Sequence, residues 1–388
     1  MASITLRPSA ESRNEKVGVD WWLLGVAAFL AFIGLVAIFS AVVGTKEAND
    51  FKKQVIYIFL GLLPASIFAF CHPRLWAKAS MGVYLVNLGL LAAVLLKGKT
   101  INGAERWINL FGFQFQPSEM SKIFIVLTLA SFYASRQDRI KEFSTFALGL
   151  LHVLIPVILI MKQPHLGASL LLICIWIGLS LVSGVSPKYI LVTVGSLVIL
   201  STLVIKVPAV RTKILKQYQW ERVMGLLGIE SDEATSAEGR KSLKDKQLQV
   251  RMASYAFANG GIAGTGYLKG EAKKRVPFVA TDFIFACVGE EFGMMGCLAL
   301  LGVFAMFFYR IWLGMLSAAD LYYQLIMSGI LTIFGFHVIV NAGMVLGVLP
   351  VVGMWLPFLS SGGTAIWLCM SLVGLALNVR ARERAVLF

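Results

Sequence analysis

Four clusters of polar residues interrupt an otherwise apolar chain, and each carries groups suited to acid–base or anion chemistry. The first is Gly103-Ala104-Glu105-Arg106-Trp107, followed by Gln116-Pro117-Ser118-Glu119-Met120-Ser121-Lys122. Glu119 and Lys122 are three residues apart, so a helix sets them on one face as an ion pair. Pro117 and Ser118 also read as a plain helix start, with Glu119 in the favourable first turn. That reading leaves Lys122 unexplained, because an ionisable group one turn into an apolar run needs a partner or a water-filled cavity. The second cluster is Lys162-Gln163-Pro164-His165-Leu166-Gly167. His165 is a structural residue or a polar site group, and no second His lies near it in sequence to make a metal site.

The third cluster is Thr281-Asp282-Phe283, with Gly289-Glu290-Glu291-Phe292-Gly293 beyond it. Thr281 or Asp282 suits a helix N-cap. Asp282 equally suits a carboxylate at a membrane edge, where desolvation raises its pKa and fits it to take a proton. It also suits oxygen ligation of a divalent cation. Glu290 and Glu291 inside an apolar run are costly and point to function or a buried polar network. The fourth cluster runs Asn341-Ala342-Gly343, Leu349-Pro350-Val351-Val352-Gly353 and Leu356-Pro357-Phe358-Leu359-Ser360-Ser361-Gly362-Gly363-Thr364. It reads as a tight reversal between two helices, or as glycine-rich backbone that a ligand approaches closely.

The elements that must hold these clusters follow from composition. Of 388 residues, 58% are hydrophobic and 14% charged, with a mean hydropathy of +0.78. Too few polar side chains remain to cover a water-soluble globule, which excludes a soluble enzyme, a disordered chain and a fibrous repeat. Ten apolar runs are long enough to cross a bilayer: approximately 21–43, 54–71, 79–96, 118–135, 144–161, 166–184, 187–207, 283–310, 321–346 and 355–379. Unpaired backbone cannot face lipid, so each is expected to be a continuous helix. The fold class is therefore an all-α polytopic membrane protein with ten transmembrane helices. Residues 1–20 and 381–388 form tails around a single 21–380 domain. The first run is too long for a signal peptide and reads as a retained helix.

Lys and Arg in the short loops favour the side of the N-terminus, which places both termini in the cytoplasm. Residues 208–281 then form one large extracytoplasmic loop between helices 7 and 8, with 228–248 expected to be a solvated, mobile stretch. The net charge is +14, and the basic residues flank apolar runs or lie in that loop, which fits anionic lipid rather than nucleic acid. Cys71, Cys174, Cys287, Cys297 and Cys369 sit in or beside apolar runs without a CxxC pair and read as small core residues.

The stretches GAERWINL, FQPSEMSK, QPHLG, YQWERV, NGGIAGTGYLKG, VPFVATDFIFACVGEEFGMMG, NAGMVLGVLP and LPFLSSGGT occur in that order. In them the chain resembles the SEDS family (shape, elongation, division and sporulation) over nearly its whole length. YQWERVMGLLGIESD and LPVVG resemble its elongation branch, RodA, more than FtsW. The resemblance implies a ten-helix bundle and a peptidoglycan glycosyltransferase. Such an enzyme polymerises lipid II at the outer face of the bacterial cytoplasmic membrane beside a class B penicillin-binding protein. It implies that Asp282 is the essential carboxylate, acting as general base or positioning a divalent cation, Mg or Mn. No organic cofactor is implied. Arg106, Lys122 and Arg222 become candidates to hold the lipid pyrophosphate, with Glu119, His165 and Ser360 beside them.

The chain departs from the family pattern at four places. His165 stands where QPDLG has Asp. Phe278 follows Pro277 where Glu is usual, Ser361 takes the Tyr place of SYGG, and Met252 replaces a common Gln. Two other functions suit such a bundle: a flippase for lipid-linked precursor, and a weakened scaffold for the penicillin-binding protein.

Overall fold

All ten apolar runs contain helix in the computed structural model, which describes residues 18–45, 47–97, 99–101, 104–110, 113–163, 165–206 and 237–382. In chain order the helices are α1 (Trp21–Val42), α2 (Asn49–Phe70), the short α3 (Pro73–Lys78), α4 (Ser80–Lys97), α5 (Pro117–Ala134), α6 (Phe143–Lys162), α7 (Leu166–Ser183) and α8 (Pro187–Lys206). They continue with α9 (Ala237–Asn259), α10 (Ile284–Leu316), α11 (Leu321–Val345) and α12 (Gly363–Arg380). Among the described residues, 7 helices are long and apolar enough to cross a membrane: α1, α2, α6, α7, α10, α11 and α12. Helices α4 and α8 are apolar over shorter described stretches, and α5 carries Glu119 and Lys122. Helices α7, α11 and α12 are mostly buried, whereas α2 presents most of its surface outward.

The structure adds one small element and corrects three expectations. A three-stranded antiparallel sheet, β1 (Lys99–Ile101), β2 (Ala104–Leu110) and β3 (Phe113–Phe115), lies between α4 and α5 in an otherwise helical fold. The run at 355–379 is helical only from Gly363. The stretch before it is irregular, with Trp355 partly buried and Leu356, Phe358, Leu359 and Ser360 buried. Phe358 packs against Phe307 of α10 and Phe334 of α11, well inside the bundle. Irregular backbone is tolerated at that depth because protein, not lipid, surrounds it. The 228–248 stretch is not all loop, since α9 begins at Ala237 and packs on α10 and α11.

The third correction is α10, which is broken at Gly293 (φ 66°, ψ −167°) rather than continuous. Only glycine holds such a backbone cheaply. The freed backbone groups pair with the segment that follows α9. Thr265 N donates to Glu290 O (2.9 Å), Gly266 N to Glu291 O (3.0 Å) and Met294 N to Gly261 O (2.9 Å). Glu290 accepts from Asn259 Nδ2 (3.1 Å), Ala272 N (2.8 Å) and Lys273 N (2.7 Å). Glu291 Oε1 accepts from Leu268 N (2.8 Å), Ser40 Oγ of α1 and the buried Lys273 ammonium. The two adjacent acids thus form a buried polar network that fastens residues 260–276 to α1 and α10. Residues 207–236, with Arg211, Lys213, Lys216 and Arg222, lie outside the described residues.

At the opposite end of the bundle Asp20 joins three helix ends. Its Oδ1 caps α1 at Leu23 N (2.9 Å), and its Oδ2 accepts from Arg310 (2.7 Å) and Arg380 (2.8 Å). Burial pushes the Asp20 carboxyl up, but the Leu23 amide and the two guanidinium groups outweigh it, and its pKa is lowered overall. The unfolded chain then binds the extra proton, so stability rises with pH through the carboxylate range. Asp20→Asn is expected to cost about 1–3 kcal/mol at pH 7. Its melting temperature should fall less on acidification below about pH 4 than that of the wild type; parallel thermal melts in detergent check this.

Candidate active site

The N-termini of α5, α7, α10 and α12 and the C-termini of α6 and α11 lie at the end of the bundle away from Asp20. Asp282 sits there, just ahead of α10. Its placement follows from a turn opened by Phe278, which adopts φ 58°. The amides of Thr281 and Asp282 both donate to Phe278 O at 3.1 Å. A left-handed non-glycine residue costs about 1–2 kcal/mol, and such strain gathers at functional sites.

The Asp282 carboxylate is only partly open to solvent. Burial lifts its pKa to about 6, and the nearby Arg106 guanidinium holds it back from going higher. It is therefore mostly ionised at neutral pH and able to take a proton. Arg106 comes from β2, and its Nε donates to Gln163 O (3.1 Å), which ties the sheet to the α6–α7 turn. His165 lies in that turn and is buried, with Nδ1 3.2 Å from Gln116 Nε2 and 3.1 Å from Ser118 Oγ. Burial, then the Arg106 and Lys122 charges, pull its pKa well below the usual histidine value, so it is neutral at pH 7. The imidazole standing in the family's Asp place thus adds no second cation beside Arg106.

Beside these groups lies a largely buried polar network. Lys122 and Glu119 are buried and paired at 2.6 Å. Lys122 Nζ also donates to His337 Nε2 (3.1 Å), and Glu119 Oε2 accepts from Trp355 Nε1 (2.9 Å). Asn341 Nδ2 donates to Asp282 O (2.8 Å) and Met354 O (2.7 Å). Ser360 Oγ donates to Thr281 O and accepts from Leu356 N (2.7 Å). Gly362 N donates to Gln54 Oε1 (3.0 Å), and Gln54 Nε2 is buried without a hydrogen-bond partner among the described residues.

The structure brings Arg106, His165 and Asp282 close together, Arg106 acting on the other two, and sets Glu119, Lys122 and Ser360 in the buried polar network beside them. Sequence reading missed His337, Trp355 and Gln54. His337 did carry a signal, as a titratable group in the apolar run of α11, which is as exceptional as Lys122 in α5.

Gly353 borders the carboxylate: it holds φ 68°, and a Cβ there would stand 3.5 Å from Asp282 Oδ2. Gly353→Ala is expected to cost about 1–2 kcal/mol of stability through the left-handed backbone. The added Cβ itself stands at ordinary van der Waals contact with the carboxylate, so the folded variant should keep turnover within about threefold; melting and turnover measured on one preparation check both.

Among the described residues no three His, Cys, Asp or Glu side chains gather to hold a metal. Asp282, beside a guanidinium, is a poor resident metal site. One carboxylate does suit a Mg or Mn ion whose other ligands are substrate phosphate and water.

A bundle with 7 described helices long and apolar enough to cross a bilayer defines an integral membrane protein, with a partly desolvated carboxylate and a guanidinium at one end. Residues 20–385 match the family model for FtsW, RodA and SpoVE, described as cell cycle proteins, and the chain belongs to this SEDS family. It is 32% identical over 378 residues to the "Probable peptidoglycan glycosyltransferase FtsW" of Geobacter metallireducens, covering 94% of this chain and 95% of that one. It is 29% identical over 384 residues to the "Peptidoglycan glycosyltransferase MrdB" of Escherichia coli K12, covering 98% of each. Among solved structures, a chain of a peptidoglycan synthase complex, described as coordinating polymerization and crosslinking, matches with a TM-score of 0.77 and 31% identity over 94% of this chain and 98% of that one. The rod shape determining protein RodA of Thermus thermophilus matches with a TM-score of 0.65 and 27% identity over 94% and 96%.

Proposed function

We propose that this chain, a peptidoglycan glycosyltransferase, polymerises lipid II into glycan strands at the outer face of the bacterial cytoplasmic membrane during cell elongation. The observation that carries the reading is the Asp282 carboxylate, held at one end of the bundle with its pKa raised to about 6 and Arg106 near it. Asp282 takes the proton of the acceptor hydroxyl as that oxygen attacks the anomeric carbon of the donor. Arg106 faces the negative charge that grows on the departing lipid pyrophosphate. The converging helix N-termini add positive potential on the same side. A Mg or Mn ion brought with the pyrophosphate, with Asp282 as its protein carboxylate, would supply further charge neutralisation there. Arg222 is a further candidate for the pyrophosphate. His165, being neutral, orients rather than neutralises.

The charge of the short loops supports cytoplasmic termini and an outward-facing Asp282 end. The YQWERV and LPVVG stretches support the elongation branch. Likeness to a subunit of a synthase complex supports a class B penicillin-binding protein as partner.

The test is polymerisation of lipid II by the purified chain in detergent with Mg or Mn, with and without the partner. Micelles have no sides, so a flippase makes no product there. Glycan from the wild type supports the reading. Folded protein that makes none, with the partner present, overturns it in favour of flippase or scaffold.

A further inference from the structure

His337 is fully buried in α11, and its two ring nitrogens face groups of opposite kind. Nε2 stands 3.1 Å from Lys122 Nζ, and Nδ1 stands 3.1 Å from Trp355 O. An ammonium only donates and a carbonyl only accepts. Nε2 must therefore accept and Nδ1 must carry the proton, which fixes one neutral tautomer.

Trp355 is held through its carbonyl, its indole N–H and its ring. Its carbonyl takes the His337 proton, and its indole N–H donates to Glu119 Oε2 at 2.9 Å. Its ring stacks on His337 with centroids 3.7 Å apart, and Lys122 Nζ lies 5.0 Å from the ring centre. From Trp355 the chain runs directly into the bonds that set Asp282. Met354 O and Asp282 O share the Asn341 amide. Ser360 Oγ links Leu356 N to Thr281 O, and Ser361 N donates to Ala280 O at 2.8 Å.

We propose that His337 is a positioning residue for the polymerase reaction: in its Nδ1–H form it joins the buried Glu119–Lys122 pair to the 354–361 segment and so sets the Asp282 turn. The proposal rests on the polymerase reading above. His337 touches no substrate, and its effect reaches the reacting atoms through Trp355, Asn341 and Ser360.

The test compares His337→Gln with His337→Phe in lipid II polymerisation. Gln reproduces both bonds, since its carbonyl accepts from Lys122 and its amide donates to Trp355 O; it should keep turnover within about threefold. Phe keeps the ring and the stacking but loses both bonds. It should lower kcat by about tenfold or more and leave KM within about twofold, because the substrate-binding groups are unchanged. Wild-type kcat in the Phe variant, an equal loss in both variants, or a loss in KM alone overturns the proposal. Should His337→Phe fail to fold, Trp355→Phe removes the indole N–H bond to Glu119 and part of the ring stacked on His337, and keeps the backbone carbonyl that His337 holds. A loss of kcat supports the proposal and an unchanged kcat overturns it.

Nitrogen-15 NMR of histidine-labelled wild type reads the tautomer independently of activity. The Nδ1–H form supports the geometry, and the Nε2–H form in an active enzyme overturns the His337 proposal alone. A wild type that shows the Nδ1–H form and makes no glycan overturns the polymerase reading, and with it the reaction that His337 would serve.

Discussion

Asp282→Ala should lower lipid II polymerisation by about 10²–10⁴-fold, the usual worth of a general base. The same chain should become more stable at neutral pH, not less. The second half follows from the direction of the pKa shift. Burial raises the folded-state pKa from 3.8 to about 6, so ionised Asp282 is disfavoured in the folded chain. Between those two values the folded state binds more protons than the unfolded state, so stability falls as pH rises through that window. At pH 7 the accumulated cost is about 1–3 kcal/mol, discounted for the partial opening to solvent. Asp282→Asn keeps the shape and removes the charge. It should recover that stability while remaining nearly inactive, which separates loss of a base from loss of fold. Turnover and thermal melting of both variants check the pair of effects. A destabilised, inactive Asn variant would mean that the carboxylate serves the fold rather than the reaction.

Lys273→Met should cost about 3–5 kcal/mol, the usual penalty for removing one partner of a buried ion pair. Lys273 and Glu291 are each about 1% exposed, and Glu291 Oε1 receives the ammonium together with Ser40 Oγ and Leu268 N. Without the ammonium, the Glu291 carboxyl is left buried with two neutral donors. The damage should spread to residues 260–276, which rest on this network and on the broken turn at Gly293. A thermal melt checks the first effect, and faster proteolysis within 260–276 checks the second. Adding Glu291→Leu to Lys273→Met should return part of the loss, because removing both charges is far cheaper than stranding one.

The helices were legible because each needs about 20 apolar residues in a row, and that run is visible without any neighbour. The sheet was not, because β1 and β3 are three residues each and pair only through β2. Helix α9 was hidden by polar residues such as Glu238, Arg240 and Lys241, which erase the apolar run that marked the others. The segment before α12 misled because Trp355, Leu356, Phe358 and Leu359 are apolar enough to extend the span, although Pro357 lies among them. At the site, the Glu119–Lys122 pair was legible because both residues lie within one helical turn. Its other partners, His337 and Trp355, stand more than 200 positions away, and only the fold brings them to it. Phe278 was visible as a departure from the family pattern, but its left-handed turn depends on backbone geometry that the letters do not carry.

The central claim is that Asp282 is the base of a glycosyl transfer at a partly desolvated site. The most direct test is kcat/KM for lipid II polymerisation against pH, from about pH 5 to 8, for wild type and Asp282→Asn. Wild-type kcat/KM should rise with pH through a single acid limb centred at about 6, and the residual rate of the Asn variant should lack that limb. A wild-type profile flat through this range, or the same limb in the Asn variant, would contradict that claim.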